Sequence, residues 1–313
     1  MNGYRLEGPF AHENLTVFLI AGGERAGTGA YVTLEEALAK ESITIHETGS
    51  VNQLELEYTG EVDLFICAGE LVKGGRQDRA LPFDLIIGKQ SGRSPLPSFC
   101  VESARWGRRG AESAAQFTVS EHFLASKQAR LAAKLDRDQG GVWKSVGEAV
   151  QHMSTSLGAK VASSESPTSY KLALEHEGLK KRVSDYVEAL RKAPEGQPKA
   201  IGLAFAVNGE WVGFDVFGSR DLFTKLWPKL LQAAATEAIQ GLWRAREPKA
   251  ESKRAEAATL SKLLEALKKR PEKREQINPR TVAVTRDAER SALFETFDAA
   301  KEGAMVHENL IAK

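Results

Sequence analysis

The sequence predicts an α+β fold: a β-rich N-terminal half with antiparallel sheets, a helical middle that contains a β-hairpin, and C-terminal strands that close the sheet. Three observations predict it. Residues 1–124 carry short alternating or β-branched runs separated by glycines. From about residue 125 the apolar residues recur at helical spacing. After residue 280 the pattern returns to strand-like runs, at 281–285, 293–297 and 305–311.

The N-terminal half is predicted to be sheet with one short helix. Six apolar or β-branched runs are predicted strands, at 15–21, 43–47, 54–58, 62–68, 81–87 and 98–101. The helix is predicted over 34–40, because Thr33 can cap its first turn and Glu36 can complete a capping box.

The middle of the chain, 125–243, is predicted to hold three helices. The first has apolar residues at 142, 146, 149, 150, 153 and 157, all on one helical face. Ser166 and Pro167 supply an N-cap and a first helical residue for the second, whose apolar stripe continues to Pro194. Ser219 is predicted to cap a long buried helix that extends to about residue 242.

A hairpin is predicted between the second and third helices, because Asn208-Gly209 is a strong type I′ turn signal. A two-residue loop pairs the strands in a fixed register: Val207 with Glu210, Phe205 with Val212, Leu203 with Phe214, and Ile201 with Val216. The other face has small residues at 202, 204 and 206, with Asp215 as its ionisable group. Asp215 is therefore a candidate ligand-binding residue; the alternative is helix packing with an aspartate that caps a turn.

Composition describes an ordinary soluble protein. The 313 residues are 42% hydrophobic and 27% charged, with a formal net charge of +1, which excludes disorder and a polyanion-binding surface over the whole protein. Cys67 and Cys100 both lie in strand-like runs, as expected for buried thiols in a reducing compartment. No signal sequence and no apolar run of membrane-spanning length is evident. We predict a cytoplasmic protein with no membrane partner.

Positive charge is concentrated in one segment. Residues 244–280 have 12 basic and 6 acidic side chains, which leaves −5 on the rest of the chain and suggests nucleic acid or an acidic partner. No aromatic residue lies between Trp243 and Phe294 to stack on bases, and leucines at 260, 263, 264 and 267 describe an amphipathic helix. We predict a charged helix and no sequence-specific nucleic-acid partner.

The whole chain, 1–313, is predicted to be a single compact unit. Its sub-regions are 1–124 (β-rich), 125–243 (helices plus hairpin), 244–280 (charged helix) and 281–313 (closing strands). The last segment is too small to fold alone, so its strands are expected to join those of residues 1–124 in one continuous sheet.

The segment 69–79 contains the richest set of polar groups. Gly74-Gly75 can present backbone N–H groups, and Lys73, Arg76 and Arg79 surround them with positive charge, which would suit a diphosphate or carboxylate. The alternative is a polar hairpin loop with solvated charges. No Lys-Ser/Thr follows the glycine, so this is no P-loop.

Established catalytic and metal-binding signatures are absent from the sequence. It has no Gly-x-Ser-x-Gly, no His-Glu-x-x-His and no clustered cysteines, so no dedicated metal-ligand set is predicted and the cofactor stays open, with Mg²⁺ as a possible one. Four carboxylates lie at the edges of strand-like runs, where they could converge on a cleft: Glu13, Glu70, Glu102 and Asp215.

Four segments, in order, resemble the ARG and rhodanese-phosphatase-superfamily-associated protein domain. They are 9–18 (Pro-Phe-Ala-His-Glu-Asn-Leu-Thr-Val-Phe), 69–79 (Gly-Glu-Leu-Val-Lys-Gly-Gly-Arg-Gln-Asp-Arg), 100–106 (Cys-Val-Glu-Ser-Ala-Arg-Trp) and 215–231, which begins Asp-Val-Phe-Gly-Ser. The residues that match the family's polar positions are Glu13, Asn14, Glu70, Gln77, Arg79, Glu102, Arg105 and Trp106. Arg76 and Asp78 depart from the family pattern, and Asp78 is expected to weaken anion binding.

The resemblance implies a role in NAD or ADP-ribose metabolism. The leading hypothesis is therefore that the protein binds a nucleotide-like diphosphate, and processes it if it is a hydrolase or transferase. Arg79 and Lys73 would hold the diphosphate, and Trp106 would stack on the base. Glu70 or Glu102 would bind Mg²⁺ or act as a general base. The alternative is a non-catalytic interaction protein that docks a partner through the 69–79 loop and the basic helix.

Overall fold

The computed structural model describes residues 4–25, 27–110, 112–113, 115–123, 126–243 and 257–313. The strands, in chain order, are β1 (Arg5–His12), β2 (Leu15–Ala21), β3 (Val32–Thr33), β4 (Ile43–Ser50), β5 (Gln53–Tyr58), β6 (Leu64–Ile66), β7 (Glu70–Gly74), β8 (Arg79–Ala80), β9 (Leu85–Ile87), β10 (Gly92–Pro97), β11 (Phe99–Cys100), β12 (Phe117–Phe123), β13 (Ala200–Val207), β14 (Glu210–Phe217), β15 (Glu272–Gln276), β16 (Thr281–Ala288), β17 (Ser291–Asp298) and β18 (Ala304–Ala312).

The helices are α1 (Leu34–Ala39), α2 (Lys127–Leu131), α3 (Gln139–Leu157), α4 (Tyr170–Leu174), α5 (Glu177–Leu190), α6 (Arg220–Gly241) and α7 (Ala257–Lys268). A π-helical turn, Ala132–Asp136, follows α2. The α+β class, the antiparallel N-terminal sheets and the C-terminal closing strands are confirmed. Among the described residues, no helix combines the length and the apolar character needed to cross a membrane.

Local signals predicted several helix ends correctly. Thr33 and Glu36 form the capping box of α1, and Ser219 caps α6. The predicted start at Ser166 and Pro167 is wrong, because Ser169 caps the short α4 and a separate helix, α5, begins at Glu177. The Ser166 side chain instead hydrogen-bonds Glu102. The residue predicted to cap a helix therefore makes a contact with a residue distant in the sequence.

The predicted charged helix, 244–280, is only partly helical where it is described. Residues 244–256 lie outside the described residues, α7 covers Ala257–Lys268, and β15 follows. The strand was missed because Glu272–Gln276 has only charged and polar side chains. Such charge is typical of the edge strand that β15 forms, because it discourages pairing with other chains.

The chain forms two compact units. The first comprises Met1–Ala30 and Ser184–Lys313, the second Tyr31–Val183. The single-unit organisation of 1–313 stays a prediction. The first unit contains an antiparallel sheet of eight strands in the order β1-β2-β13-β14-β18-β17-β16-β15. The C-terminal strands thus join β1 and β2, but the expected single sheet across residues 1–124 is wrong, since β3–β12 form three smaller sheets in the second unit.

Apolar side chains bury the sheet of the first unit. One face carries Phe18, Ala204, Phe214 and Leu310, which pack with Leu260, Leu264 and Leu267 of α7. Helix α6 packs against β2, β13 and β14. The predicted amphipathic leucine stripe of α7 is therefore the covering layer of the large sheet.

The hairpin of β13 and β14 begins in the predicted register and then shifts by one residue. Val207 pairs with Glu210 as expected, but a bulge leaves Val212 unpaired, so Leu203 lies opposite Asp215 and Ala204 opposite Phe214. Because side chains alternate along a strand, Asp215 shares a face with Leu203 rather than with the small residues. The predicted small-residue face with Asp215 is therefore wrong.

The second unit contains three small sheets. Their strand orders are β10-β5-β4, β11-β8-β7-β12 and β3-β6-β9. The pairing is antiparallel except between β3 and β6. The sheet β11-β8-β7-β12 and the loops that join its strands carry most of the polar residues that the sequence singled out, and the candidate site is in this part of the unit.

Candidate functional site

Strand pairing brings two distant segments together around Arg79. β7 and β8 form a hairpin whose connection is residues 75–78, and β11 pairs with the other side of β8, with Cys100 opposite Arg79. Gly75 makes the tight connection possible: its φ is +55°, and a Cβ there would lie 2.2 Å from Cζ of Phe117. The chain beyond Cys100 then returns to the loop, where the backbone N–H of Asp78 donates to Glu102 Oε2 at 3.3 Å.

Asp78 is the buried centre of an ion-pair network. Nη1 and Nη2 of Arg109 donate to its two carboxylate oxygens, both at 3.1 Å. The Ser169 hydroxyl and the backbone N–H of Gly74 each donate a hydrogen bond to the same carboxylate, both at 3.2 Å. Burial, with the nearby charge of Glu102, raises the pKa of Asp78, while Arg109 opposes the shift. The carboxylate expected to weaken anion binding is thus neutralised by a paired guanidinium.

Glu102 is the second carboxylate of the network. Nε of Arg105 donates to its Oε2 at 2.8 Å, and Nη1 of Arg109 donates to its Oε1 at 3.3 Å. Burial by itself would raise the pKa of Glu102, but the hydrogen bonds from Arg105 and Ser166 outweigh it and lower the pKa below its ordinary value. Glu102 is therefore held ionised between two arginines.

Arg79 is fully buried, with 0% of its surface exposed. Its Nη1 donates to the backbone carbonyl of Gln77 at 3.0 Å and to that side chain's Oε1 at 3.3 Å. Nη2 lies 3.6 Å from Glu47 Oε2, an ion pair beyond hydrogen-bond distance. Nε and Nη2 have no hydrogen-bond acceptor among the described residues. Burial lowers the pKa of Arg79. One edge of this buried guanidinium therefore lies in an environment that disfavours its charge and gives it no hydrogen bond.

Trp106 covers this arginine. The Cζ atoms of Arg76 and Arg79 lie 5.4 and 5.9 Å from the centroid of its ring, within cation–π range. The loop is held by Arg105, whose Nη1 donates to the carbonyls of Gly75 and Gly107. Trp106 itself is 48% exposed. A half-exposed aromatic ring therefore lies directly over the buried guanidinium.

The backbone amides of the loop are already engaged. Gly74 N–H donates to Asp78, Gly75 N–H to the carbonyl of Ser113, and Arg76 N–H to Glu47 Oε2. They therefore form no open cradle. Lys73 is also paired: its Nζ lies 3.1 Å from Glu175 and 3.5 Å from Glu112. Arg79, in contrast, keeps two buried donor atoms, Nε and Nη2, without an acceptor among the described residues.

Five sequence-predicted residues meet in this network: Gln77, Arg79, Glu102, Arg105 and Trp106. Gln77 Nε2 donates to the carbonyl of Glu102 at 2.7 Å, which fixes the amide that faces Arg79. Glu70 is buried at the other end of β7. Lys73 joins the network at its margin, through Glu112, which also pairs with Arg109.

Glu13 and Asn14 belong to the first unit. They lie at the turn between β1 and β2, where the Tyr186 hydroxyl contacts Glu13 Oε2 at 3.0 Å and Asn14 Oδ1 at 2.8 Å. Asn14 Nδ2 also donates to the carbonyl of Ala238 in α6. These contacts tie the turn to two helices.

Asp215, also in the first unit, has different partners. Asn309 Nδ2 donates to its Oδ1 at 2.8 Å, and His307 Nε2 lies 3.2 Å from the same oxygen. All three are buried in neighbouring strands, and the His307 ring stacks on Phe217 with centroids 4.4 Å apart. The described contacts of Asp215 are thus polar pairings inside the sheet.

Sequence reasoning missed Glu47, Asp78 and Arg109 as site residues. Arg109 lies four residues after Arg105, in the segment that follows Glu102. This second arginine near the same carboxylate was the signal available in the sequence. Glu47 gave none, because it lies within β4, thirty-two positions before Arg79.

Comparison with known proteins identifies a family. Searches of curated proteins and of solved structures found no match to the chain. The family model of the ARG and Rhodanese-Phosphatase-superfamily-associated Protein domain matches residues 3–312, which includes every part of the network around Arg79. The chain therefore belongs to the ARG and Rhodanese-Phosphatase-superfamily-associated Protein domain family.

Proposed function

We propose that the second unit binds a small nucleotide-like ligand, an oxyanion joined to a planar ring, at Arg79 and Trp106. The observation that carries the proposal is the edge of Arg79 formed by Nε and Nη2, which is buried and has no hydrogen-bond acceptor among the described residues. ADP-ribose and other NAD-derived metabolites are the candidates that the family resemblance suggests.

The cost of leaving these two buried donors without an acceptor favours the binding of a ligand. A buried donor without an acceptor costs about 1–3 kcal/mol, and more when it is charged. Two parallel N–H groups of a guanidinium match two oxygens of a phosphate or carboxylate. An oxyanion at this edge would satisfy both donors and neutralise the buried charge, since Glu47 contacts Nη2 at 3.6 Å without a hydrogen bond.

Trp106 supports the nucleotide-like part of the proposal. Because Arg79 is fully buried beside Trp106, the proposed ligand would reach it only if the Trp106 side chain moved aside. The half-exposed indole then offers a surface for a base, and stacking of a base on an aromatic ring contributes about 1–3 kcal/mol. Arg76, which also lies over this ring, adds positive charge at the entrance.

Catalysis at this site stays a prediction. Both oxygens of Glu102 accept hydrogen bonds from arginines, so its supported role is to hold Arg105 and Arg109. A reaction would use Glu70 or Glu102 as a general base or as a Mg²⁺ ligand.

Isothermal titration tests the binding. ADP-ribose, NAD and AMP are titrated into the full chain, with and without Mg²⁺. We expect at least one of them to bind, and Arg79→Lys to weaken it by about tenfold or more, since lysine keeps the charge and loses the two-donor edge. Arg93→Lys, at an exposed ion pair of the same unit, is the matched control.

The absence of heat with every ligand under both conditions would reject the proposal. A fall in melting temperature of Arg79→Lys without any ligand binding would instead make Arg79 structural and favour the alternative of a non-catalytic interaction protein.

A further inference from the structure

We infer that Glu47 makes the Arg79 site selective for an oxyanion that carries neighbouring hydroxyl groups, such as a phosphorylated sugar, over a bare phosphate. The inference rests on the proposed binding at Arg79. Glu47 Oε2 lies 3.6 Å from Nη2 of Arg79, beside the edge that would receive the ligand, and the side chain is only 6% exposed.

Glu47 is fixed in this position. Its Oε2 accepts the backbone N–H of Arg76 at 3.0 Å, and its Oε1 accepts that of Gly49 at 2.9 Å. The glycine at 75 leaves space for the carboxylate, because a Cβ there would lie 2.8 Å from Oε2. Two backbone donors and a close glycine therefore hold a buried carboxylate next to the arginine.

This carboxylate opposes a ligand that is only an anion. A phosphate on Nε and Nη2 would lie a few ångströms from the Glu47 charge, and like charges that close in a buried site repel strongly. An ionised carboxylate accepts hydrogen bonds and donates none. A ligand hydroxyl beside the phosphate would donate a hydrogen bond to Glu47. The carboxylate that repels a bare phosphate would then contribute to binding of the hydroxylated ligand.

The test compares two probes, inorganic phosphate and ribose 5-phosphate, by isothermal titration into the wild type and Glu47→Gln. Glutamine keeps the shape and removes the charge. We expect Glu47→Gln to bind inorganic phosphate at least about fivefold more tightly and ribose 5-phosphate at least about twofold more weakly, so that the preference between the probes falls by about tenfold or more. Glu55→Gln, an exposed acid of β5 in the same unit, is the control and should change neither affinity.

The possible failures are distinguishable. In one outcome, Arg79→Lys loses binding, but wild type and Glu47→Gln have the same preference between the two probes. That outcome would overturn the selection by Glu47 and leave the proposed Arg79 site intact. A change of both affinities in the same direction would also overturn it. No binding of either probe to either protein, with both folded by circular dichroism, would overturn the selection together with an Arg79 site for phosphates.

Discussion

The guanidinium carbon of Arg79 lies 5.9 Å from the centre of the Trp106 ring, yet Arg79 is fully buried and Trp106 is half exposed. Trp106 is thus a surface residue in direct contact with the desolvated charge of Arg79. An aromatic ring in this position can shield the charge in the free protein and contact a ligand in the bound one.

Replacing Trp106 with alanine is expected to weaken ADP-ribose binding by about 1–3 kcal/mol, the contribution of one base stacked on an aromatic ring. Trp106→Phe should retain part of the affinity. Titration calorimetry measures both. Trp243→Ala, which removes a partly exposed tryptophan of the first unit, is the control. Equal affinity in wild type and Trp106→Ala would contradict the stacking role.

Replacing Arg109 with lysine should lower the free energy of unfolding by about 1–3 kcal/mol or more, because lysine keeps the charge but leaves buried carboxylate oxygens of Asp78 and Glu102 without a hydrogen-bond donor. Lysine cannot make two parallel bonds to Asp78 while it also reaches Glu102. Urea unfolding gives the value. Arg93→Lys, at an exposed pair with Glu55, should cost less than about 1 kcal/mol. Similar losses in the two variants would show that the network adds little stability.

Stability should depend on pH through Glu102. Its pKa is lowered in the folded state, so its contribution is fully present above the ordinary glutamate value of about 4.3 and is lost as the pH falls through the folded-state pKa. The raised pKa of Asp78 acts in the opposite direction. Comparison with Glu102→Gln therefore measures the effect of Glu102 together with the part of the Asp78 shift that the Glu102 charge causes.

Glu102→Gln should be less stable than wild type at neutral pH, and the two stabilities should converge as the pH falls below the ordinary glutamate pKa of about 4.3. Chemical denaturation at each pH measures the difference. Glu188→Gln, an exposed acid of α5, should parallel the wild type throughout. A stability difference between wild type and Glu102→Gln that does not change with pH would be the contrary result.

Truncation after Arg280 should destabilise the first unit and cause aggregation. It removes β16, β17 and β18, and β18 pairs directly with β14 in the middle of the sheet. The backbone of β14 would become an unpaired edge, and apolar residues such as Phe214 would lose their cover. Thermal melting and amide exchange of β14 measure the effect.

Removal of Lys313 alone, one residue beyond β18, is the control for the truncation. A shortened chain that stays soluble with an unchanged melting temperature would show that the C-terminal strands are an independent addition.

Short-range interactions made much of the fold predictable. The capping box of Thr33 and Glu36, the Asn208-Gly209 turn and the leucine stripe of α7 depend on residues within a few positions of one another. The C-terminal strands followed from their alternation. β15 did not, since an exposed charged edge strand buries too little apolar surface to leave a pattern.

The same distinction applies to the site. The sequence named Gln77, Arg79, Glu102, Arg105 and Trp106 through loop composition and family resemblance, and the structure brings them together. Which of their polar atoms have hydrogen-bond partners depends on pairings between segments that are distant in the sequence.

Only the tertiary structure decided which polar groups are satisfied. Asp78 is neutralised by Arg109, thirty-one positions away, and Arg79 keeps two donors without an acceptor among the described residues, beside a glutamate thirty-two positions before it. Local sequence determined where the chain bends and which faces are apolar. Burial and charge pairing are set by long-range strand register, in which one bulge, as at Val212, moves every later side chain to the opposite face.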